Sequence, residues 1–144
     1  IMFFLSSRFG ALAATHGPRL FMTLGPILGA VGFLLMMSTQ HQVQYWTQLF
    51  PGVVVFGLGL SITVAPLTAA ILGSIKSEHA GIGSAVNNAV ARIAGLIAIA
   101  GIGLVVGSKL TTFGFHRGLL ATATLLLLGG IISFIGIRNE QIKE

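Results

Sequence analysis

Ile82-Gly83-Ser84-Ala85-Val86-Asn87-Asn88-Ala89-Val90-Ala91-Arg92-Ile93-Ala94-Gly95-Leu96-Ile97-Ala98-Ile99-Ala100-Gly101-Ile102-Gly103-Leu104-Val105-Val106-Gly107 holds one charge, Arg92, in a run otherwise apolar, small or amide-bearing. A helix needs about 20 such residues to cross a hydrocarbon core, and this run is long enough. Three others match it: Leu20 to Ser38, Pro51 to Ser74, and Gly118 to Ile137. None alternates with a period of two, so the roughly 10-residue strands of an outer-membrane barrel do not fit. The expected fold is all-α, a polytopic bundle of four transmembrane helices.

Composition agrees. The chain is 54% hydrophobic and 8% charged, with mean hydropathy +0.95, against about 25% charged residues in an ordinary soluble domain. A net charge of +5 would suggest nucleic acid in a soluble protein, but the eight Lys and Arg are scattered singly and form no basic run. Nucleic acid is therefore not an expected partner; the lipid bilayer is. With no cysteine, disulfides and thiolate metal sites are excluded.

The intervening connections, Ser6 to Arg19, Thr39 to Phe50, Ile75 to Gly81 and Ser108 to Arg117, are short, so consecutive helices must run antiparallel. Arg8, Arg19, Lys76, Arg138 and Lys143 fall on one side and Lys109 and Arg117 on the other. The positive-inside rule then places the C-terminal tail in the cytoplasm, in a cell membrane, plasma or bacterial inner. Tyr45 and Trp46 stand at the opposite boundary, where amphipathic rings favour the headgroup region. The opening Ile1 to Leu5 is too short for a span and has no basic n-region, which suggests the remnant of a preceding helix rather than a signal peptide.

At 100° per residue, Gly81, Ser84, Asn88, Ala91, Arg92 and Gly95 share one face of the Ile82 to Gly107 helix, flanked by Asn87, and Ile82, Val86, Ile93 and Ile97 the other. A charge deep in hydrocarbon is unfavourable by about 2.5 to 3.5 kcal/mol on insertion scales. Arg92 either snorkels to a nearby boundary or lines an aqueous path or pairs with a carboxylate on another helix. In Pro51 to Ser74, Gly57, Ser61, Ala65 and Thr68 form a mildly polar stripe with Thr63 and Pro66 beside it. Pro66 frees a backbone carbonyl that protein or cavity water must satisfy, which suits a cavity wall. The hydroxyls could equally bond back to their own helix. Glycine, at 20 of 144 residues, recurs in the spans, as in Gly25-Pro26-Ile27-Leu28-Gly29 and Gly57-Leu58-Gly59, and small residues let helix backbones approach closely in lipid.

Glu78, Glu140 and Glu144 are the only acids, and these and the four histidines lie outside the expected spans. No catalytic constellation, metal-ligand cluster or phosphate loop stands out, and Gly81-Ile82-Gly83 lacks the third glycine and the preceding strand of a dinucleotide site. An enzyme is not expected, and neither a cofactor nor a metal.

The stretch Gly10-Ala11-Leu12-Ala13-Ala14-Thr15-His16-Gly17-Pro18-Arg19 resembles the cytoplasmic loop signature of the major facilitator superfamily. Gly10, Leu12, Ala13, Gly17 and Arg19 match it, while Ala14 and Thr15 stand where its acid and first base would be. Phe56-Gly57-Leu58-Gly59-Leu60, Ala65-Pro66-Leu67-Thr68-Ala69-Ala70 and the stretch from Ala80 to Gly95 are similar to the fourteen-span drug and proton antiporter branch. The resemblance implies the last four spans of a transporter for multidrug or metabolite efflux, working by alternating access on a small amphipathic substrate with proton coupling. It implies that Gly57, Ser61, Thr63, Ala65, Pro66 and Thr68 line the substrate cavity. It also implies that Gly81, Ser84, Asn87, Asn88, Arg92 and Gly95 meet the N-terminal half of the same transporter. With no acid in these spans, a proton carrier would lie upstream, and this piece alone would not transport. The alternative is a complete four-span protein, either an oligomeric exporter or a non-transporting scaffold; small exporters commonly place a glutamate in the first span, and here there is none.

Overall fold

The structure is a computed structural model that describes residues 1–38, 44–73, 77–107 and 111–137. Five α-helices follow one another: α1 (Met2–His16), α2 (Pro18–Met36), α3 (Phe50–Gly73), α4 (Ala80–Val106) and α5 (Thr112–Gly136). A π-helical turn, Tyr45–Leu49, leads into α3 and a 3-10 turn, Ser77–His79, into α4. There is no strand among the described residues, and four helices are long and apolar enough to cross a membrane, as expected. Lys76, Lys109, Arg138 and Lys143, which enter the charge count, and His41, Glu140 and Glu144 lie outside the described residues.

Two boundaries differ from those read off hydropathy. The expected loop from Ser6 to Arg19 is mostly helix: α1 continues to His16, and Gly17 alone separates it from α2. Ala11, Leu12 and Ala13 favour helix over coil, so the polar residues Ser6 to Arg8 end an apolar run without ending the helix. Gly17 stops it, with φ 85° and ψ 149°, a conformation closed to side chains with a Cβ. Pro18 then starts α2 at a position where its missing N–H is no loss. At the other boundary α5 begins at Thr112 rather than Gly118, so His116 and Arg117 are helical. The Thr111 side chain caps that start by accepting a 3.1 Å hydrogen bond from the Gly114 N–H.

The tightest packing joins α2 to α3, and glycine permits it. A Cβ placed on Gly59 would stand 2.6 Å from the carbonyl oxygen of Gly25 and from the nitrogen of Gly29. One placed on Gly32 would stand 2.7 Å from the Gly52 carbonyl oxygen and the Phe56 nitrogen. Gly25 thus faces Gly59 while Gly32 faces Gly52, so the helices run antiparallel with backbones in direct contact. Without a hydrophobic drive between helices in lipid, such dispersion contact is what holds them. Phe33 and Phe56 close the seam edge to face, with centroids 4.9 Å apart.

The remaining helices lean on this pair to different extents. The side of α5 holding Leu126 and Gly130 packs on Gly29, Ile27 and Thr23 of α2, again antiparallel. Ile1 of the chain's first turn lies against Gly57, and Gly10 of α1 against Ala65, so α1 runs parallel to α3. By contrast α4 contains no buried residue along its whole length. At one end it meets α5, where the Val106 carbonyl oxygen lies 2.6 Å from a Cβ placed on Gly114.

Candidate functional site

On α3, the residues expected to line a cavity fall into two groups. Ser61 has 0% exposure and Pro66 is fully buried, and their neighbours Gly57 and Ala65 meet Ile1 and Gly10. In this structure α1 therefore lies along the Gly57, Ser61 and Ala65 stripe. Thr63 turns toward α2, its hydroxyl against Gly25, while Thr68 is exposed. Each hydroxyl donates to its own helix: Ser61 to the Gly57 carbonyl at 2.8 Å, Thr63 to Gly59 at 2.8 Å and Thr68 to Val64 at 3.1 Å. Such back-bonding satisfies a buried hydroxyl without a ligand or water.

The polar face of α4 is the reverse case. Gly81, Ser84, Asn88, Arg92 and Gly95 are all exposed and Asn87 is partly so. No atom lies within 4 Å of a Cβ built on Gly81 or Gly95. The opposite face is open as well, with Ile93 at 58% and Ile97 at 67% exposure. Isoleucine facing lipid needs no explanation in a membrane protein. An amide and a guanidinium at mid-span do, because hydrocarbon solvates neither. Arg92 lies twelve residues into a helix of 27, close to its midpoint. At 1.5 Å per residue it is about 18 Å from the helix start, on the order of half a bilayer core.

The loop-signature residues run across the corner between α1 and α2 without converging. Gly10 and Leu12 belong to α1, Gly17 is the break and Arg19 opens α2. The Arg19 Nε–H donates to the Phe134 carbonyl at 2.9 Å, and its guanidinium lies 4.5 Å from the Phe134 ring centroid. Phe134 is in the last turn of α5, where carbonyls lack intrahelical partners and the macrodipole favours a cation. Arg19 thus caps α5 from another helix. Nothing in the sequence pattern marks Phe134, 115 residues away, as its partner. At the other boundary Tyr45, Trp46 and Phe50 form an exposed aromatic cluster, Trp46 and Phe50 with centroids 5.1 Å apart. Amphipathic rings of this kind favour the headgroup region. Among the described residues no group of His, Asp or Glu could hold a metal ion.

No family model matches the chain, and no solved structure matches it. The chain is 31% identical over 117 residues to a triacylglyceride transporter of Mycolicibacterium smegmatis, and equally to one of Mycobacteroides abscessus, in each case across 75% of its own length. That stretch is 20% and 21% of those two proteins, so the chain spans about a fifth of the length of the curated relatives it matches. The chain is an all-helical multi-pass membrane protein, similar over three quarters of its length to one part of two transporters.

Proposed function

We propose that this chain works as one part of a larger alternating-access transporter that moves a small, amphipathic, lipid-like substrate, with α4 as the surface that meets the rest of the machine. The observation that carries this is the open mid-span polar face of α4, with Asn88 and Arg92 exposed where hydrocarbon would otherwise lie. In a larger assembly Arg92 gains a carboxylate or a water-lined path, either of which removes the insertion penalty. Gly81, Ser84 and Gly95 leave room for a partner backbone to approach and slide. A second copy of this chain meets that need poorly, since none of its spans carries an acid to neutralise Arg92.

Two relatives named triacylglyceride transporter support a lipid-like cargo, as does the scarcity of polar groups in the helices. Under this reading the α3 stripe of Gly57, Ser61 and Ala65 reaches substrate only when α1 shifts off it, while Thr68 is already accessible. Efflux and proton coupling belong to the same proposal, and the proton-carrying acid then lies on helices other than these. The test is transport by proteoliposomes holding the larger protein, with a fluorescent acylglyceride as cargo. Ser84→Trp and Gly95→Trp should each reduce transport at least tenfold while leaving protein yield unchanged. Wild-type rates in both variants would sink the proposal.

A further inference from the structure

Gly17 is the whole connection between α1 and α2, and its two dihedrals answer to different residues. Pro18 holds ψ in the extended range, where it stands at 149°, because the proline ring crowds a helical conformation of the residue before it. The φ of 85° is open to glycine alone in practice, yet glycine reaches negative φ about as readily. Rotation about that one N–Cα bond swings α1 against α2. The end of α1 is built to move as a unit. Its Thr15 hydroxyl donates to the Leu12 carbonyl at 2.9 Å and lies 2.8 Å from His16 Nδ1, so side chains of α1 itself serve one of its last carbonyls.

Where α1 meets α3, a Cβ placed on Gly10 would stand 3.5 Å from the Ala65 Cβ, and one on Gly57 3.6 Å from Ile1. Both are ordinary carbon contacts, unlike the 2.6 Å approaches of backbone to backbone on the α2–α3 seam. Ser61, between Gly57 and Ala65, gives its proton to the Gly57 carbonyl of its own helix. That bond survives when α1 leaves, so uncovering the serine strands no polar group. We propose that α1 is a lid on the Gly57, Ser61 and Ala65 stripe, pivoting at Gly17 between a closed position on α3 and an open one while the α2–α3 seam stays fixed. Closed, it keeps cargo from Ser61; open, it lets a lipid-like molecule lie along the stripe. The purpose of the lid rests on the reading of that stripe as cargo-lining, whereas the pivot stands on the geometry of Gly17 and Pro18. Phe9 also rests on Phe21 of α2, with centroids 6.4 Å apart, a tilted contact that rotation at Gly17 loosens.

Pulsed electron spin resonance on the full chain in lipid nanodiscs reads the pivot without any cargo. Nitroxides attached through Ser7→Cys on α1 and Leu120→Cys on α5, both exposed positions, report the swing. Ser7 is ten residues from Gly17, a lever of about 15 Å at 1.5 Å per residue. The labels should show two distances, about 5 Å or more apart on a lever of that length. Gly17→Ala disfavours positive φ and should shift the population about tenfold toward the open distance. Gly10→Leu leaves the hinge intact but wedges α1 off Ala65, and should shift it the same way. Gly81→Ala on α4, where nothing lies within 4 Å, should leave both distances as they are. In a separate chain, Gly10→Cys with Ala65→Cys should form a disulfide on mild oxidation, since 3.5 Å is within reach for paired Cβ atoms, and Gly17→Ala should slow it. A single distance that neither Gly17→Ala nor Gly10→Leu moves, or crosslinking indifferent to Gly17→Ala, would overturn the lid and leave the transport reading standing. Wild-type transport in Ser84→Trp and Gly95→Trp alongside a working pivot would sink the transport reading and leave the hinge.

Discussion

The α2–α3 seam and the α4 helix are built from the same residue types and use them in opposite ways. On the seam, Gly25, Gly32, Gly52 and Gly59 each face a backbone atom of the other helix closer than 3 Å to where a Cβ would stand. On α4, Gly81, Gly95, Gly101 and Gly103 face nothing within 4 Å. Glycine abundance alone cannot separate a closed interface from an open one. What separates them is what lies across the gap. The seam is formed within this chain, whereas α4 presents exposed amide, hydroxyl and guanidinium groups that no neighbour among the described residues covers.

The contrast can be broken most forcefully at the seam. Gly59→Leu would drive a branched side chain into the Gly25 carbonyl and the Gly29 backbone, a clash that only helix separation relieves. A loss of about 3 kcal/mol is expected, measured by unfolding in mixed detergent micelles. Gly32→Ala is milder, since one methyl group meets the Gly52 carbonyl and the Phe56 nitrogen. It should lower stability by about 1 to 2 kcal/mol in the same assay. Arg19→Ala should lower it by about 1 kcal/mol, by uncapping the end of α5, and faster amide exchange confined to the last turn of α5 would report it. The smallest effect is expected on α4. Gly101→Ala should raise the stability of this chain by about 0.5 kcal/mol, from helix propensity with no clash. A large loss there would mean that α4 is packed after all.

The four spans were legible because each is a long apolar run, and length and hydropathy settle that link without tertiary knowledge. Boundaries were less so. His116 and Arg117 look like loop residues, yet a helix can start in the headgroup region and carry charge there, and Thr111 supplies the cap. Ser6 to Arg8 similarly hid α1, which runs on to Gly17. Gly25, Gly29 and Gly59 could be singled out as small-residue patches, but the pairing of Gly25 with Gly59 and of Gly32 with Gly52 depends on which helices meet. The equal seven-residue spacing of Gly25 to Gly32 and Gly52 to Gly59 is a signal in the sequence that could have found it. For the candidate site, the polar face of α4 followed from 100° periodicity. The covering of the Gly57, Ser61 and Ala65 stripe by α1 did not, because the run Ile1 to Leu5 reads as a helix remnant without showing which helix it packs on.

The central claim is that the two faces of α4 meet different surroundings in the working protein. The chain has no cysteine, so single cysteines at Ser84, Asn88, Gly95, Val86, Ile93 and Ile97 can each carry a nitroxide label in the proposed larger transporter, reconstituted in bilayers with any cysteine outside this chain replaced. The most direct measurement is the accessibility of these labels to dissolved oxygen, which concentrates in lipid. Labels at Val86, Ile93 and Ile97 should be highly accessible and mobile, and those at Ser84, Asn88 and Gly95 shielded and immobilised. Equal oxygen accessibility around the helix would contradict the claim and leave α4 a lipid-exposed helix with an unexplained arginine.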